Sequence, residues 1–298
     1  MAIDRAEDGD AAAGEPALAD RCEPEPLHDP VERVAEHARY RASVENHGAA
    51  ADGWGQALPS LHAAWERHVE KYPERERATP RTQPDGSWVA DADRKLTPEQ
   101  NAEATAACAD IRKEGEEVIL PAMRRVEAAD PGRQLTGLEN MIKGEDRLKE
   151  KIADRFRYQP DLTARQAVTE VPDAVRFTLT YSETHYTNGV LADVNQLKTE
   201  GFELIKLKNL WAKDQYKGVN SQWRSPETGA RFEMQFHTSE SLEAKELTHK
   251  AYERLRDPLT SKDEEDELMD YQRRANALIK LPPNVFAIQD YPPEKRDG

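Results

Sequence analysis

Residues 229–238, Gly-Ala-Arg-Phe-Glu-Met-Gln-Phe-His-Thr, alternate strictly along the chain. Phe232, Met234 and Phe236 fall on one side and Arg231, Glu233, Gln235 and His237 on the other, which is the period of a half-buried strand. The stretch 171–181 is rich in β-branched and aromatic residues and reads as a second strand. Two more strands are predicted over 202–209 and 218–224, the latter joined to 229–238 through a turn at Pro226-Glu-Thr-Gly229. Helical patterns cover 135–157, 162–170, 184–199, 239–256 and 261–279. At Thr97-Pro-Glu-Gln100 a further helix begins: Thr97 can cap it, Pro98 suits its first position, and Gln100 completes a capping box. Asp130-Pro-Gly132 stops that helix near 129. Residues 29–75 carry two helical patterns, the second through Leu58, Leu61, Trp65 and Val69, before Pro73, Pro80, Pro84 and an Asp85-Gly86 turn interrupt the chain.

The order strand, helix, three strands, helix predicts an α+β domain with a mixed β-sheet flanked by helices, behind a helical N-terminal extension. The chain divides accordingly. Residues 1–28, rich in Ala, Asp, Glu, Gly and Pro, read as disordered or loosely attached; 29–134 form the extension, 135–280 the α+β domain, and 281–298 a Pro-rich tail.

The polar row of 229–238 sends out a cation, a carboxylate, an amide and an imidazole together. An ordinary amphipathic strand with a solvated face would show the same alternation, so the neighbouring strand matters. Asp173 and Arg176 stand at its mouth. Asp173 and Glu233 can then lie on adjacent strands, and Mg2+ is commonly held by one or two carboxylates together with substrate phosphates. Cations for such phosphates are at hand: Lys143, Arg147 and Lys151 recur every four residues, Lys206 and Lys208 alternate on a strand, and Lys213 and Lys217 follow. Glu145, Asp146 and Glu150 offer the same helix an alternative as a solvated face laced with ion pairs.

Charge narrows the function classes. The 298 residues carry a net charge of −15, which argues against a general nucleic-acid surface, since duplex affinity comes largely from neutralised phosphates. The acidic excess lies at the N-terminal end and in Asp263-Glu-Glu-Asp-Glu267, away from the basic cluster between Lys143 and Lys217, so a small phosphorylated substrate fits better than a long polyanion. Two cysteines, Cys22 and Cys108, are too few for a disulfide framework or a zinc site. No apolar run approaches a membrane span, and the first ten residues lack a signal peptide's basic start and apolar stretch. The expected location is the cytoplasm, with no membrane partner.

Asp173-Ala-Val-Arg176, Lys206-Leu-Lys-Asn-Leu-Trp211, Tyr216-Lys-Gly-Val-Asn220, Glu233-Met-Gln-Phe-His-Thr238 and Lys245-Glu-Leu-Thr-His-Lys-Ala-Tyr-Glu-Arg-Leu-Arg256 occur in that order. Together they resemble the RelA/SpoT-type nucleotide pyrophosphokinase (alarmone synthetase) domain. More closely they resemble its divergent actinobacterial branch, found in polymorphic-toxin and ATP nucleotide 3′-pyrophosphokinase-like proteins. The resemblance covers roughly residues 135–257. It implies a nucleotidyltransferase-like sheet and Mg2+-dependent transfer of pyrophosphate from ATP to the 3′-hydroxyl of an acceptor nucleotide.

By the same resemblance, Asp173 and Glu233 are metal ligands, with Glu233 alternatively the base that takes the 3′-hydroxyl proton, and Gln235 is their hydrogen-bonding neighbour. Lys143, Arg147, Lys151, Arg176, Lys206, Lys208 and His237 are expected to bind ATP and its phosphates, and Tyr216, Lys217, Gly218, Val219 and Asn220 the acceptor. Three departures stand out. Asp173 lies three residues before Arg176 where many relatives have five, with Val171 at the usual position. His237 replaces an Arg. Val219 replaces the Tyr that stacks on guanine, which leaves adenosine nucleotides, guanosine nucleotides or a tRNA 3′ end as acceptors. The branch further implies a toxin, with an immunity or antitoxin protein as partner; a tRNA 3′-end pyrophosphokinase toxin and a catalytically silent nucleotide-binding domain are the alternatives. His249, Glu253 and Arg256 share a helical face that could brace the strand row.

Overall fold

The computed structural model describes residues 53–74 and 79–293. The segments 1–52, 75–78 and 294–298 lie outside the described residues, and with them the expectations for 1–28, for the first helical pattern after residue 29 and for the end of the tail.

The five-stranded sheet is built from β4 (Arg133–Thr136), β5 (Arg176–Tyr181), β6 (Glu203–Asn209), β7 (Val219–Arg224) and β8 (Arg231–Thr238), in the spatial order β4-β5-β8-β7-β6. β5 and β8 are parallel and every other neighbouring pair is antiparallel, so the sheet is mixed. One face is apolar: Phe177, Leu179, Tyr181, Phe232, Met234, Phe236, Val219, Trp223 and Leu207 are all buried. Helix α6 (Tyr186–Thr199) packs there, its Tyr186 hydroxyl donating to the Phe236 carbonyl at 2.7 Å. A buried ionic node pins the same layer: Asp193 of α6 takes Arg133 of β4 and, at 2.5 Å, the Tyr181 hydroxyl of β5.

Ahead of the sheet, α1 (Trp54–Lys71) is followed by three two-residue strands, β1 (Arg81–Thr82), β2 (Trp88–Val89) and β3 (Lys95–Leu96), which pair as a small antiparallel sheet. The extension is therefore not purely helical. Asp85-Gly86 makes the β1–β2 turn and Trp88 fills the core beneath it, a sheet too short for any periodicity to announce. Helix α2 (Pro98–Glu114) starts at Thr97 with a full capping box, and one π-helical turn at Gly115–Ile119 carries it into α3 (Leu120–Ala128). Gly115 is needed at that turn, because a Cβ there would come within 2.6 Å of Ile142 and 3.2 Å of Val175.

Helices α4 (Glu145–Tyr158) and α5 (Ala164–Thr169) lead into β5, and α7 (Ser239–Leu255) and α8 (Lys262–Ala277) follow β8. The helix expected over 135–157 starts only at Glu145; before it β4 adds an edge strand to the sheet. The tail folds back on the other edge, where Leu207 and Tyr291 exchange two backbone hydrogen bonds of 2.7 and 2.9 Å.

Candidate active site

The opposite face of the sheet is polar, and the strand registers assemble it in rows. Arg176, Glu233, Gln222 and Lys206 form one row across β5, β8, β7 and β6, and Thr178, Gln235, Asn220 and Lys208 the next. Residues paired across neighbouring strands share a face, so these eight side chains come from four strands onto one surface. A bulge in β6 between Leu204 and Lys206 is what brings Lys206 into line, since unbroken alternation would put Ile205 opposite Gln222.

The segment before α4 completes the mouth of β5. Ile142 bridges Val175, the Lys143 amide donates to the Ala174 carbonyl at 3.0 Å, and the Arg176 amide donates to the Met141 carbonyl at 2.8 Å. This stitching sets the Lys143 ammonium 2.9 Å from Asp173. Arg176 Nε lies 3.4 Å from Glu233.

The two acids are tuned in opposite directions. Burial by itself would push the Asp173 carboxyl up, but Lys143, Lys151 and Arg176 outweigh it and hold the acid below its ordinary range. Burial pushes Glu233 up, against the opposing pull of Arg176 and the Gln235 amide, and the Asp173 charge adds to the rise. Asp173 is thus a standing anion and Glu233 a carboxylate ready to take a proton or a cation. Two polar atoms beside them are buried without a hydrogen-bond partner, Gln235 Oε1 and Arg176 Nε. One is an acceptor and one a donor, the pair that a substrate bringing a hydroxyl and a phosphate would satisfy.

Among the described residues no group of three or more His, Cys, Asp and Glu is placed to hold a metal ion. A two-carboxylate site is the arrangement Mg2+ uses when phosphates and water complete its octahedron, and the orphaned Gln235 oxygen suits its hydration shell. Asp173 and Glu233 therefore fit Mg2+ brought in with a nucleotide.

The remaining expected site residues divide. His237 shares the polar face but is fully buried, with Nδ1 2.9 Å from the Ser241 hydroxyl and Nε2 2.9 Å from the Tyr216 hydroxyl. Burial and the Lys245 charge push it down to about 3. It is a neutral hydrogen-bonding group near pH 7, because the first turn of α7 closes over the strand end where a phosphate-binding side chain was expected. Val219 is fully buried opposite Phe236 on the apolar face, so it cannot meet an acceptor base. Lys217 is buried too and spends its ammonium on the Trp211 and Lys213 carbonyls. Gly218 is a close-approach residue, where a Cβ would come within 2.8 Å of the His237 ring. These three hold the loop rather than face a ligand. Tyr216 does reach the polar face, with its hydroxyl 2.7 Å from Asn220 and its ring edge-on to His237.

Lys208 pairs with Asp290 of the returning tail at 3.3 Å, while Lys206 is exposed. Arg147 pairs with Glu150 at 3.0 Å and lines a cavity of about 380 Å³ with Trp65, Tyr72, Lys250 and Arg254. That cavity lies between α1 and α7, away from the two acids, and its charges are paired already, Lys250 with Glu74 and Arg254 with Glu264. Arg231 is held by Glu170. His249 and Glu253 are exposed and 3.6 Å apart, so the expected bracing face points to solvent. Gln222 joins the polar row without having been expected there. Gln222 was findable from the alternation of 218–224 once its pairing with 229–238 was known.

Among solved structures, the chain is similar to the small alarmone synthetase 2 from Bacillus subtilis, at 16% identity and a TM-score of 0.38 over 60% of this chain and 94% of that one. It is similar as well to the small alarmone synthetase 1 from Bacillus subtilis bound to its product pppGpp, at 10% identity, a TM-score of 0.35 and coverage of 59% and 87%. A GTP pyrophosphokinase family protein from Streptococcus pneumoniae matches at 11% identity and a TM-score of 0.36, over 61% of this chain and 97% of that chain. No family model matches the sequence, and no curated protein matches it.

Proposed function

We propose that the chain is a Mg2+-dependent pyrophosphokinase that transfers the β,γ-pyrophosphoryl group of ATP to the 3′-hydroxyl of an acceptor nucleotide. The observation that carries this reading is the meeting of Asp173 and Glu233 at the mouths of β5 and β8, oppositely tuned and flanked by Lys143 and Arg176. The motif resemblance supplies the reaction class. Asp173, with Glu233 beside it, would hold Mg2+, which when bound would supply neutralisation of the charge developing on the phosphates.

The chain's own groups do the rest. Lys143, Lys151 and Arg176 bind the triphosphate and align its β-phosphorus with the acceptor oxygen. Glu233, its acid raised by burial, takes the proton of the 3′-hydroxyl as the new O–P bond forms at the β-phosphorus. The bond from the β-phosphorus to the oxygen bridging it to the α-phosphorus breaks, and AMP leaves. Gln235 and Gln222 flank Glu233 and hold the acceptor ribose beside it.

With Val219 on the apolar face, Tyr216 is the aromatic side chain left to meet the acceptor base. The net charge of −15 favours a free nucleotide over tRNA. None of the described helices is long and apolar enough to cross a membrane, and we place the reaction in the cytoplasm. The branch resemblance supports a toxin role, with an immunity or antitoxin protein as partner.

The test is incubation of purified protein with Mg2+, labelled ATP and, in turn, ATP, ADP, AMP, GTP, GDP and deacylated tRNA, followed by chromatography. Labelled pyrophosphate on a free nucleotide is the expected product. Label on tRNA alone would overturn the acceptor assignment, and no transfer to any acceptor would leave a silent binding domain. Expression in a bacterium should slow growth; normal growth with abundant folded protein would remove the toxin role.

A further inference from the structure

The burial of His237 leaves the end of β8 without the permanent cation that the resemblance expects there. The neighbouring helix supplies a candidate. Thr238 caps α7, accepting from the Ser241 amide at 3.2 Å, and the Ser241 hydroxyl reaches both the Thr238 amide and His237 Nδ1. The first turn of α7 is thereby fixed against the polar face of the sheet.

Lys245 follows Ser241 by four residues, so it stands on the same side of the helix one turn further along. Ala244 and Thr248 beside it are buried, and the Lys245 side chain is only 16% exposed. Its partner is the adjacent Glu246 at 2.9 Å, whose carboxylate is 63% exposed. Such a solvent-facing pair is weak and gives way readily to a better anion. Ser241 itself bonds His237, so one turn on Lys245 stands on the helix side that faces the end of β8, and its charge bears on both His237 and Glu233.

We propose that Lys245 is a phosphate-binding residue of this site, holding the β- and γ-phosphates of the nucleotide in place of the cation absent at position 237. This rests on the pyrophosphokinase reading above. The cation has moved from the strand to the facing helix, where a long flexible stem can follow the pyrophosphoryl group as it shifts from ATP to the acceptor.

The experiment is calorimetric titration of ATP and AMP, each with Mg2+, into the full chain, Lys245→Met and Lys245→Arg. Met keeps the stem's volume and removes the charge. Loss of a charge-assisted hydrogen bond predicts ATP binding weakened about tenfold or more in Lys245→Met. AMP binding should stay within about twofold of wild type, and Lys245→Arg should recover most of the ATP affinity, since charge and donors are kept. Wild-type ATP affinity in Lys245→Met would overturn the proposal while leaving the pyrophosphokinase reading intact. Equal losses for ATP and AMP, with a lowered unfolding temperature, would make Lys245 a packing residue and overturn it as well. A wild-type chain that binds no ATP would refute both.

Discussion

Replacing His237 by Gln should remove a specific acid sensitivity from the fold. His237 is fully buried between Tyr216 and Ser241, and its pKa falls from an ordinary 6.5 to about 3. Its folded-state pKa is depressed, so the unfolded chain binds the proton first. Stability is complete above pH 6.5 and declines as pH falls toward 3. Well below 6.5 each unit costs about 1.4 kcal/mol, so the wild type should lose about 2 kcal/mol from this residue between pH 6.5 and 4.5. Gln retains hydrogen-bonding groups but does not titrate. Urea unfolding of both proteins at pH 7.5, 6.5, 5.5 and 4.5 isolates the contribution, because the carboxylates common to both cancel in the difference. The variant should be less stable at pH 7.5 and should close that gap by about 2–3 kcal/mol at pH 4.5. A gap that stays constant over the four pH values would refute the argument and put His237 back in contact with solvent.

Two further substitutions probe the layer behind the site. Asp193→Asn leaves Arg133 buried with a neutral partner and should lower unfolding free energy by about 3–5 kcal/mol; a urea midpoint shift worth less than about 1 kcal/mol would contradict the node's role. Val219→Tyr forces a ring into the apolar face opposite Phe236 and should destabilise by about 1–3 kcal/mol without creating guanine preference. A stable variant whose GDP-to-ADP rate ratio rises tenfold would show that position 219 faces the acceptor.

The period-two pattern of 229–238 located the central strand and its polar face, and the capping box at Thr97 located α2. What alternation could not convey was depth. His237 and Glu233 share a face, yet α7 covers one and leaves the other 17% exposed, a difference made by a helix that begins one residue after β8. Val219 was misjudged for a related reason: the loop motif gives residue order, whereas the pairing of β7 with β8 decides which residues face the site. β4 and the β1–β3 sheet escaped because strands of two to four residues carry too little periodicity to register. Gln222 entered the site row only through registry between strands, which no single segment encodes.

The central claim is tested most directly by following ATP labelled in its β-phosphorus with the wild type, Glu233→Gln and Asp173→Asn under Mg2+, measuring AMP release and label transferred to acceptor in the same reaction. The account predicts AMP and 3′-pyrophosphorylated nucleotide in equal amounts from the wild type, and turnover reduced at least about 10²-fold in each folded variant. Label released as free phosphate or pyrophosphate without reaching an acceptor, or undiminished transfer by Glu233→Gln, would contradict it.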